Sequence, residues 1–427
     1  MHHTLYEYQS MSYQAMGIGV NHAFVEALEA LNVQYGADLI QVKRHGIQAT
    51  QYVGMIQSRH GSLNILPKVD RDIDGEQAAV RNLITMLCYA YDLPLSAQSD
   101  ASLKTGQGSW FEVLTGLFAQ QLYDQLRQGI ERVYVTIEER SPALKGRWLL
   151  EQQLTRHPHI RHAFDVRYDD FMSDTPLNRV FRYVTELLIG VSRAAKNQRL
   201  LAEIQTLLEP VTLSPRITSE DLNHIIFTRL NERFYPAFQI ARLLIESMTQ
   251  VMQSGAAPLT AFVFDMNVLF ESFVARFLAK HWREIAGKSH KSFSVQAQMQ
   301  GEKTLYLAQR EDHAPAFKLI PDLLLRDSQH QVSLVMDTKY KRLDASTRKL
   351  EISQGDVYQM LAYANRFGCS RVLLLYPSNQ GQVIDSKFSI LNSEITIDVR
   401  TINVHQQLHN TPILIGDFRR IFSAYLI

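Results

Sequence analysis

Asp322, Asp337 and Lys339 stand at a spacing that suits chemistry on a phosphate. Asp322 follows Pro321 at the head of one apolar run, and fifteen residues later Asp337 and Lys339 close a second, Val-Ser-Leu-Val-Met. Strand side chains alternate, so Asp337 and Lys339 share one face, while Met336 and Thr338 take the other. A short turn over 327–331 makes the runs a hairpin and brings Asp322 alongside Asp337. Two carboxylates and an ammonium then converge at the end of an apolar hairpin. Hydrolysis of a phosphodiester asks for such a set. Carboxylates hold one or two Mg²⁺ ions that keep some of their waters. The ions acidify a water and stabilise charge on the attacked and leaving oxygens. A lysine there can orient or deprotonate the attacking water and offset phosphate charge.

A lone Asp-x-Lys is ordinarily a pair of solvated strand-end charges. Here two more elements carry matching residues. Glu271 lies in the preceding segment FDMNVLFESFVARFL, an acid on an otherwise core-like face. Gln359 and Tyr363, in DVYQMLAYANRF, are four apart and share a helical face. The set Asp322, Asp337, Lys339, Glu271, Gln359 and Tyr363 resembles the PD-(D/E)xK class of metal-dependent nucleases. That class often takes a further acid from the preceding helix, and one branch adds Gln-x-x-x-Tyr. The resemblance makes all six catalytic candidates, with Asp322, Asp337 and Glu271 as metal ligands. It implies Mg²⁺, or alternatively Mn²⁺, as cofactor.

The elements that must position these residues can be read from periodicity. A helix is expected over 260–285, then strands near 303–309, 317–325 and 331–340. A helix over 349–366 and strands near 371–376, 386–391 and 395–404 follow, an α/β sandwich pattern. Upstream, a helix at 20–32 precedes short strand-like runs between Arg44-His45-Gly46 and Arg59-His60-Gly61, which suggest a small β-meander or barrel with charged loop tips. Helices are expected at 75–93, 109–130, 175–208 and 219–254. Strand-like segments flank Ser141-Pro142. Gly, Ala and Pro over 253–258 mark a boundary. The expected fold class is multidomain α+β. It has a β-rich N-terminal domain (1–72), a mainly helical partner-binding region with a β-hairpin (73–255) and a C-terminal α/β PD-(D/E)xK endonuclease-like domain (256–427).

Composition narrows the function classes. Hydrophobic residues make up 46% of the 427 and charged residues 20%, a globular profile. No apolar run is long enough to cross a bilayer, and the N-terminus lacks the pattern of a signal peptide. Cys88 and Cys369 each sit in an apolar run and read as buried free thiols of a reducing compartment, so a cytoplasmic location is expected. Lys and Arg number 44 against 43 Asp and Glu, a net charge of +1. A protein that grips DNA by bulk electrostatics is normally more basic than this. Either the basic residues cluster or another subunit holds the DNA.

Several segments together resemble the McrC family, the cleavage subunit of McrBC-type modification-dependent restriction systems. FDMNVLFESFV (264–274), PDLLL (321–325), DTKYK (337–341) and DVYQMLAYA (356–364) are similar to its nuclease domain. GMIQSRHGSLNILPKV (54–69), NLITMLCYAYDL (82–93), Leu-Lys-Gly-Arg (144–147) and DTPLNRVFRYVTELL (174–188) are similar to its N-terminal region. One departure is Lys145 and Trp148, where the family is expected to read Leu-Arg-Gly-Arg-Ile. The resemblance implies a hexameric McrB-type AAA+ GTPase partner that recognises modified cytosine in double-stranded DNA and translocates, and whose hydrolysis this chain stimulates. The near-neutral charge agrees with delivery by a partner. Lys43, Arg44, Arg59, His60 and Arg147 are the candidate partner contacts.

Other signals carry less. Gly287-Lys288-Ser289 resembles the tail of a P-loop, but Trp282 occupies the place of the required glycine, and no nucleotide is expected on this chain. His157, His159 and His162 lack a zinc-type ligand arrangement. Phe262, Phe264, Phe270, Phe273 and Phe277 are expected to pack in the core. The competing readings are a stand-alone, repair-type nuclease of the same class and a non-catalytic adaptor that activates an AAA+ motor.

Overall fold

A computed structural model describes residues 2–18, 23–58, 61–68, 75–93, 110–155, 163–251, 259–297, 305–344, 346–347, 350–378, 382–404, 408 and 410–426. Arg59, His60, the three histidines at 157, 159 and 162 and the 253–258 boundary lie outside the described residues.

The chain packs as two compact units, and they divide it differently from the three successive domains expected. One unit joins Met1–Phe111 to Ser247–Ile427, and the other is Glu112–Glu246. The joint is a five-stranded sheet. Tyr52–Ser58 pairs with Gly61–Leu66 on one edge and with Leu259–Asp265 on the other. His2–Tyr6 and Met248–Val251 form the outer strands. The expected N-terminal meander therefore does not stay together. Its remaining strands, Ser10–Ser12, Ile40–Lys43 and Gly46–Ala49, form a separate three-stranded sheet.

Gly54 shows why the sequence permits this. It has φ +147, and a Cβ there would lie 2.0 Å from the Phe262 carbonyl oxygen. Only glycine lets the two backbones meet. The facing segment, LTAFVFD, is aromatic and β-branched, which favours a strand. Phe262, Val263 and Phe264 are buried, and Phe262 packs 4.7 Å from Phe111, centroid to centroid. The helix expected from 260 accordingly begins only at Met266 and runs to Ala286. Asp265 caps its first turn by accepting from the Asn267 N–H.

The sheet that carries the site candidates has six strands. In spatial order they are Phe293–Ala297, Leu323–Asp327, Val332–Thr338, Arg371–Pro377, Thr396–Ile402 and Asp385–Ser389. Leu323–Asp327 and Val332–Thr338 form the expected hairpin, with Leu323 opposite Met336 and a register shift at Leu325/Arg326. Val332–Thr338 then runs parallel to Arg371–Pro377, which runs parallel to Thr396–Ile402. The strands are apolar on both faces because helices cover both. Val335, Val372 and Leu374 share a core with Met360 and Tyr363 of the helix Gln354–Phe367. Helices Met266–Ala286 and Thr411–Phe422 pack on each other through Phe277 and Phe418, 5.3 Å apart. The segment expected as one strand over 317–325 is two, because Pro321 and Asp322 interrupt it between Pro315–Leu319 and Leu323–Asp327.

In the second unit the helix expected over 175–208 breaks at Ser192–Ala194 into Pro176–Val191 and Ala195–Leu207. Glu112 drives the break. Its carboxylate accepts from the Arg193 and Ala194 N–H groups and from the Ser192 and Asn197 side chains. The helix expected over 219–254 is instead a short helix at Ser219–Asn223, a second at Tyr235–Ser247 and then the strand Met248–Val251.

Candidate functional site

Asp337 is the penultimate residue of its strand, only 2% exposed. It lies on the sheet face that packs against Gln354–Phe367, the same face as Val335. The hairpin register sets Asp322 level with it at the open end. Thr338, on the opposite face from Asp337, donates its N–H and its hydroxyl to Asp322 Oδ2, each at 2.6 Å. Sequence reasoning gave Thr338 no role. A hydroxyl one residue past an acid carries no signal until the partner strand's register is known.

Lys339 leaves the strand end with its N–H still bonded to the Leu375 carbonyl, and its Nζ lies 2.7 Å from Asp337 Oδ2. The same Nζ donates to Gln359 Oε1 at 3.1 Å. Gln359 Nε2 donates to Tyr363 Oη at 2.9 Å, and Tyr363 Oη donates to the Ile320 carbonyl at 2.8 Å. This chain ties Lys339 through the neighbouring helix to the turn that introduces Asp322. The helical spacing of Gln359 and Tyr363 is what allows it.

Glu271, in Met266–Ala286, acts on Asp322 through its charge. Burial first, and then Glu271, push Asp322 up to about 6 against the opposing hydrogen bonds from Thr338. Asp337 is likewise pushed to about 6, by burial and by Asp322, with Lys339 opposing. Burial works against the charge of Lys339, but Asp337, Asp356 and Asp322 outweigh it and hold its pKa above the ordinary lysine value. Asp356 is a fourth acid that sequence reasoning passed over. It is buried in the first turn of Gln354–Phe367 and pairs with Lys341 at 3.1 Å.

The donors fit a divalent cation of the magnesium kind. Asp337 Oδ2 is enclosed, and the Lys339 ammonium donates to it at 2.7 Å. Among the described residues no three His, Cys, Asp or Glu side chains already form a metal-sized cluster. Mg²⁺ does not need one, since it keeps several waters and takes one or two carboxylates. Asp322 and Asp337 are placed so that they could supply those two, with the charge of Glu271 adding negative field.

The partner-contact candidates lie elsewhere. Lys43 ends the strand Ile40–Lys43 and Arg44 begins the exposed turn to Gly46–Ala49, with Lys43 Nζ donating to Gln48. Arg147 is exposed in a three-stranded sheet of the second unit, made by Val133–Ser141, Phe164–Met172 and the short Arg147–Trp148. Gly146 has φ +58, and a Cβ there would lie 2.5 Å from the Arg167 carbonyl oxygen, so the Leu-Lys-Gly-Arg element needs its glycine. This sheet exposes Tyr134, Trp148 and Phe171, and the loop before its short strand exposes Leu144. Gly287-Lys288-Ser289 is a 3₁₀ turn that follows a helix, not a P-loop. The five phenylalanines are all buried as expected, although Phe262 and Phe264 sit on a strand. No helix among the described residues is long and apolar enough to cross a membrane.

Comparison with known proteins agrees with the motif resemblance. The fold is similar to a chain of a Thermococcus gammatolerans assembly described as McrB AAA+ hexamers with bound McrC. That match has 22% identity and a TM-score of 0.71, and covers 99% of this chain and 100% of that one. A chain of the cryo-EM structure of the Thermococcus gammatolerans McrBC complex matches at 27% identity and a TM-score of 0.55, over 66% of this chain and 88% of that one. No curated protein gives a significant match. The family described as McrBC 5-methylcytosine restriction system component matches residues 47–377. The chain therefore belongs to that McrBC family.

Proposed function

We propose that this chain is the McrC-type subunit that cleaves DNA by Mg²⁺-dependent phosphodiester hydrolysis, through a PD-(D/E)xK site, in a modification-dependent restriction complex. The observation that carries this reading is the convergence of Asp322, Asp337, Lys339 and Gln359 at one hairpin end. The proposed partner is a McrB-type AAA+ GTPase hexamer, in keeping with the named contents of the similar assemblies. That partner would read modified cytosine in double-stranded DNA. A net charge of +1 agrees with a subunit brought to DNA by another protein. The sheet bearing Arg147 and its exposed aromatic residues, and the turn at Lys43 and Arg44, are the proposed partner surfaces.

In this reading Asp322 and Asp337 would hold the cation, with Glu271 adding to their field. A bound Mg²⁺ (or Mn²⁺) supplies Lewis acidity toward the phosphate and lowers the pKa of water. Thr338 fixes one oxygen of Asp322 and leaves the other to bind. Lys339, held charged by its acid neighbours, acts as a donor that places the water and offsets phosphate charge, rather than as the base. Gln359 and Tyr363 fix where that ammonium points.

The test uses the purified full chain, alone and with a McrB-type AAA+ GTPase. Methylated and unmethylated plasmid are incubated with Mg²⁺ and GTP. The reading expects cleavage that needs methylation, partner and Mg²⁺ together. Cleavage by the chain alone, indifferent to partner and nucleotide, would sink the complex. A complex that hydrolyses GTP but leaves all plasmid intact would sink the nuclease assignment.

A further inference from the structure

Lys339 is followed by Tyr340, which is 3% exposed and is held from two sides. On one side its ring packs 5.6 Å from Phe270, the neighbour of Glu271. On the other side stands Lys68, from the N-terminal part of the chain. Lys68 Nζ donates to the Tyr340 carbonyl at 3.2 Å and lies 4.8 Å from the Tyr340 ring centroid. The same Nζ lies 4.7 Å from the ring of Tyr8, so the ammonium is sandwiched between two aromatic faces. The Lys68 carbonyl in turn accepts from Arg342. Residue 68 thus supplies a polar link to both Tyr340 and Arg342.

Lys68 is itself seated by Glu7. The Glu7 carboxylate is enclosed, accepts the Lys68 N–H at 2.9 Å and stands 3.9 Å from Lys68 Nζ. The Glu7 N–H bonds the Leu66 carbonyl, continuing the pairing of His2–Tyr6 with Gly61–Leu66. Burial opposes both charges, raising the Glu7 carboxyl and lowering the Lys68 ammonium from their ordinary values. A buried ion pair is often no more stabilising than apolar residues of the same size. Here it meets the carbonyl of the residue that follows the site lysine.

We propose that Lys68, seated by Glu7, is a positioning residue for Lys339: by bonding the Tyr340 carbonyl it fixes the end of the strand from which Lys339 reaches Asp337. This rests on the nuclease reading for its consequence in catalysis, but the placement of Lys339 can be measured without it. Lys68 and Lys339 are far apart in sequence, yet both belong to the unit that joins Met1–Phe111 to Ser247–Ile427. Leu5 and Ile65 of the N-terminal segment share a core with Ala261 and Val263 of the strand that leads into the Glu271 helix. The N-terminal segment is thus part of the site's support.

The experiment compares Lys68→Met, Lys68→Arg and Glu7→Gln in the full chain. Cleavage of methylated plasmid is followed with the AAA+ partner, and the Lys339 side chain is followed in the chain alone by ¹³C-dimethyl-lysine NMR, its signal identified by its loss in Lys339→Arg. Lys68→Met is expected to lower kcat roughly tenfold, within the hundredfold that a misplacement of about 1 Å can cost, with KM for DNA unchanged. It should also shift the Lys339 signal. Lys68→Arg is expected to restore both, and Glu7→Gln to shift the signal in the same direction as Lys68→Met. An unmoved Lys339 signal in folded Lys68→Met, or a wild-type kcat, overturns the proposal. Should Lys68→Met not fold, an unmoved signal in Glu7→Gln overturns it instead. Wild-type chain that cuts nothing, or Lys339→Ala that cuts normally, defeats the nuclease reading, while the NMR shift still decides whether Lys68 places Lys339.

Discussion

Asp337 and Lys339 are two residues apart, yet their environments ask opposite things of them. Asp337 is nearly sealed from water beside a second acid, while Lys339 is drawn into its charged form by both. Replacing either by Ala is expected to lower cleavage about 10²–10⁴-fold, the range for loss of a group acting on the reacting centre. Partner binding should be retained, as a pull-down would show. The acids also set a dependence of stability on pH. Asp322 and Asp337 have folded pKa values raised to about 6, so the fold prefers their protonated forms. Their contribution is whole below the unfolded carboxylate range, about 4, and is lost as pH rises through about 6. Without metal, Asp337→Asn should therefore raise stability at pH 8 by on the order of 1–2 kcal/mol, and much less at pH 4. Mg²⁺ should raise the Tm of the wild type at pH 8 and leave that of Asp337→Asn nearly unmoved. A calorimetric series at several pH values checks both statements.

At the scale of elements, two contacts can be broken by single atoms. Tyr363 ties the helix Gln354–Phe367 to the Ile320 carbonyl. Tyr363→Phe is expected to cost about 1–2 kcal/mol, since it strands a polar partner in a half-buried place. It should also slow cleavage by loosening Gln359, and denaturant unfolding with single-turnover kinetics separates the two effects. Gly54→Ala would drive a Cβ into the Phe262 carbonyl. A loss of about 2–4 kcal/mol is expected, because the backbones must part along a whole strand pair. Urea unfolding would read it. Most of the six-strand sheet was legible in advance, since its hairpin strands are continuous apolar runs punctuated by Asp327–Gln331, although the edge strand Phe293–Ala297 was not expected. The strand Leu259–Asp265 was not. Its Phe262 and Phe264 continue a plausible helical stripe into Phe270 and Phe273, and only the edge of Tyr52–Ser58 makes the extended form the better one.

At the scale of the molecule, the pairing of Tyr52–Ser58 with Leu259–Asp265 joins segments some two hundred residues apart. A fragment holding 256–427 would expose the bonding edge of Leu259–Asp265 and the buried faces of Phe262 and Phe264. It is expected to aggregate or to lose that strand, whereas a chain of successive domains would yield a stable fragment. Size-exclusion chromatography and circular dichroism of the fragment, alone and mixed with 1–111, provide the check. A monomeric, fully folded 256–427 would count against the joint.

By itself the sequence determined the chemistry on offer. The Asp, Lys, Glu, Gln and Tyr residues, their two-residue and four-residue spacings and the hairpin between them follow from local periodicity, which depends only on neighbours along the chain. The family could be read from the same motifs. Tertiary structure alone decided what surrounds them. Thr338 on Asp322, Asp356 beside Lys341, and Lys68 and Glu7 behind Tyr340 depend on strand register and on pairing between distant segments. Such contacts leave no periodic trace, because the residues that meet are set by how surfaces close over one another rather than by their order in the chain.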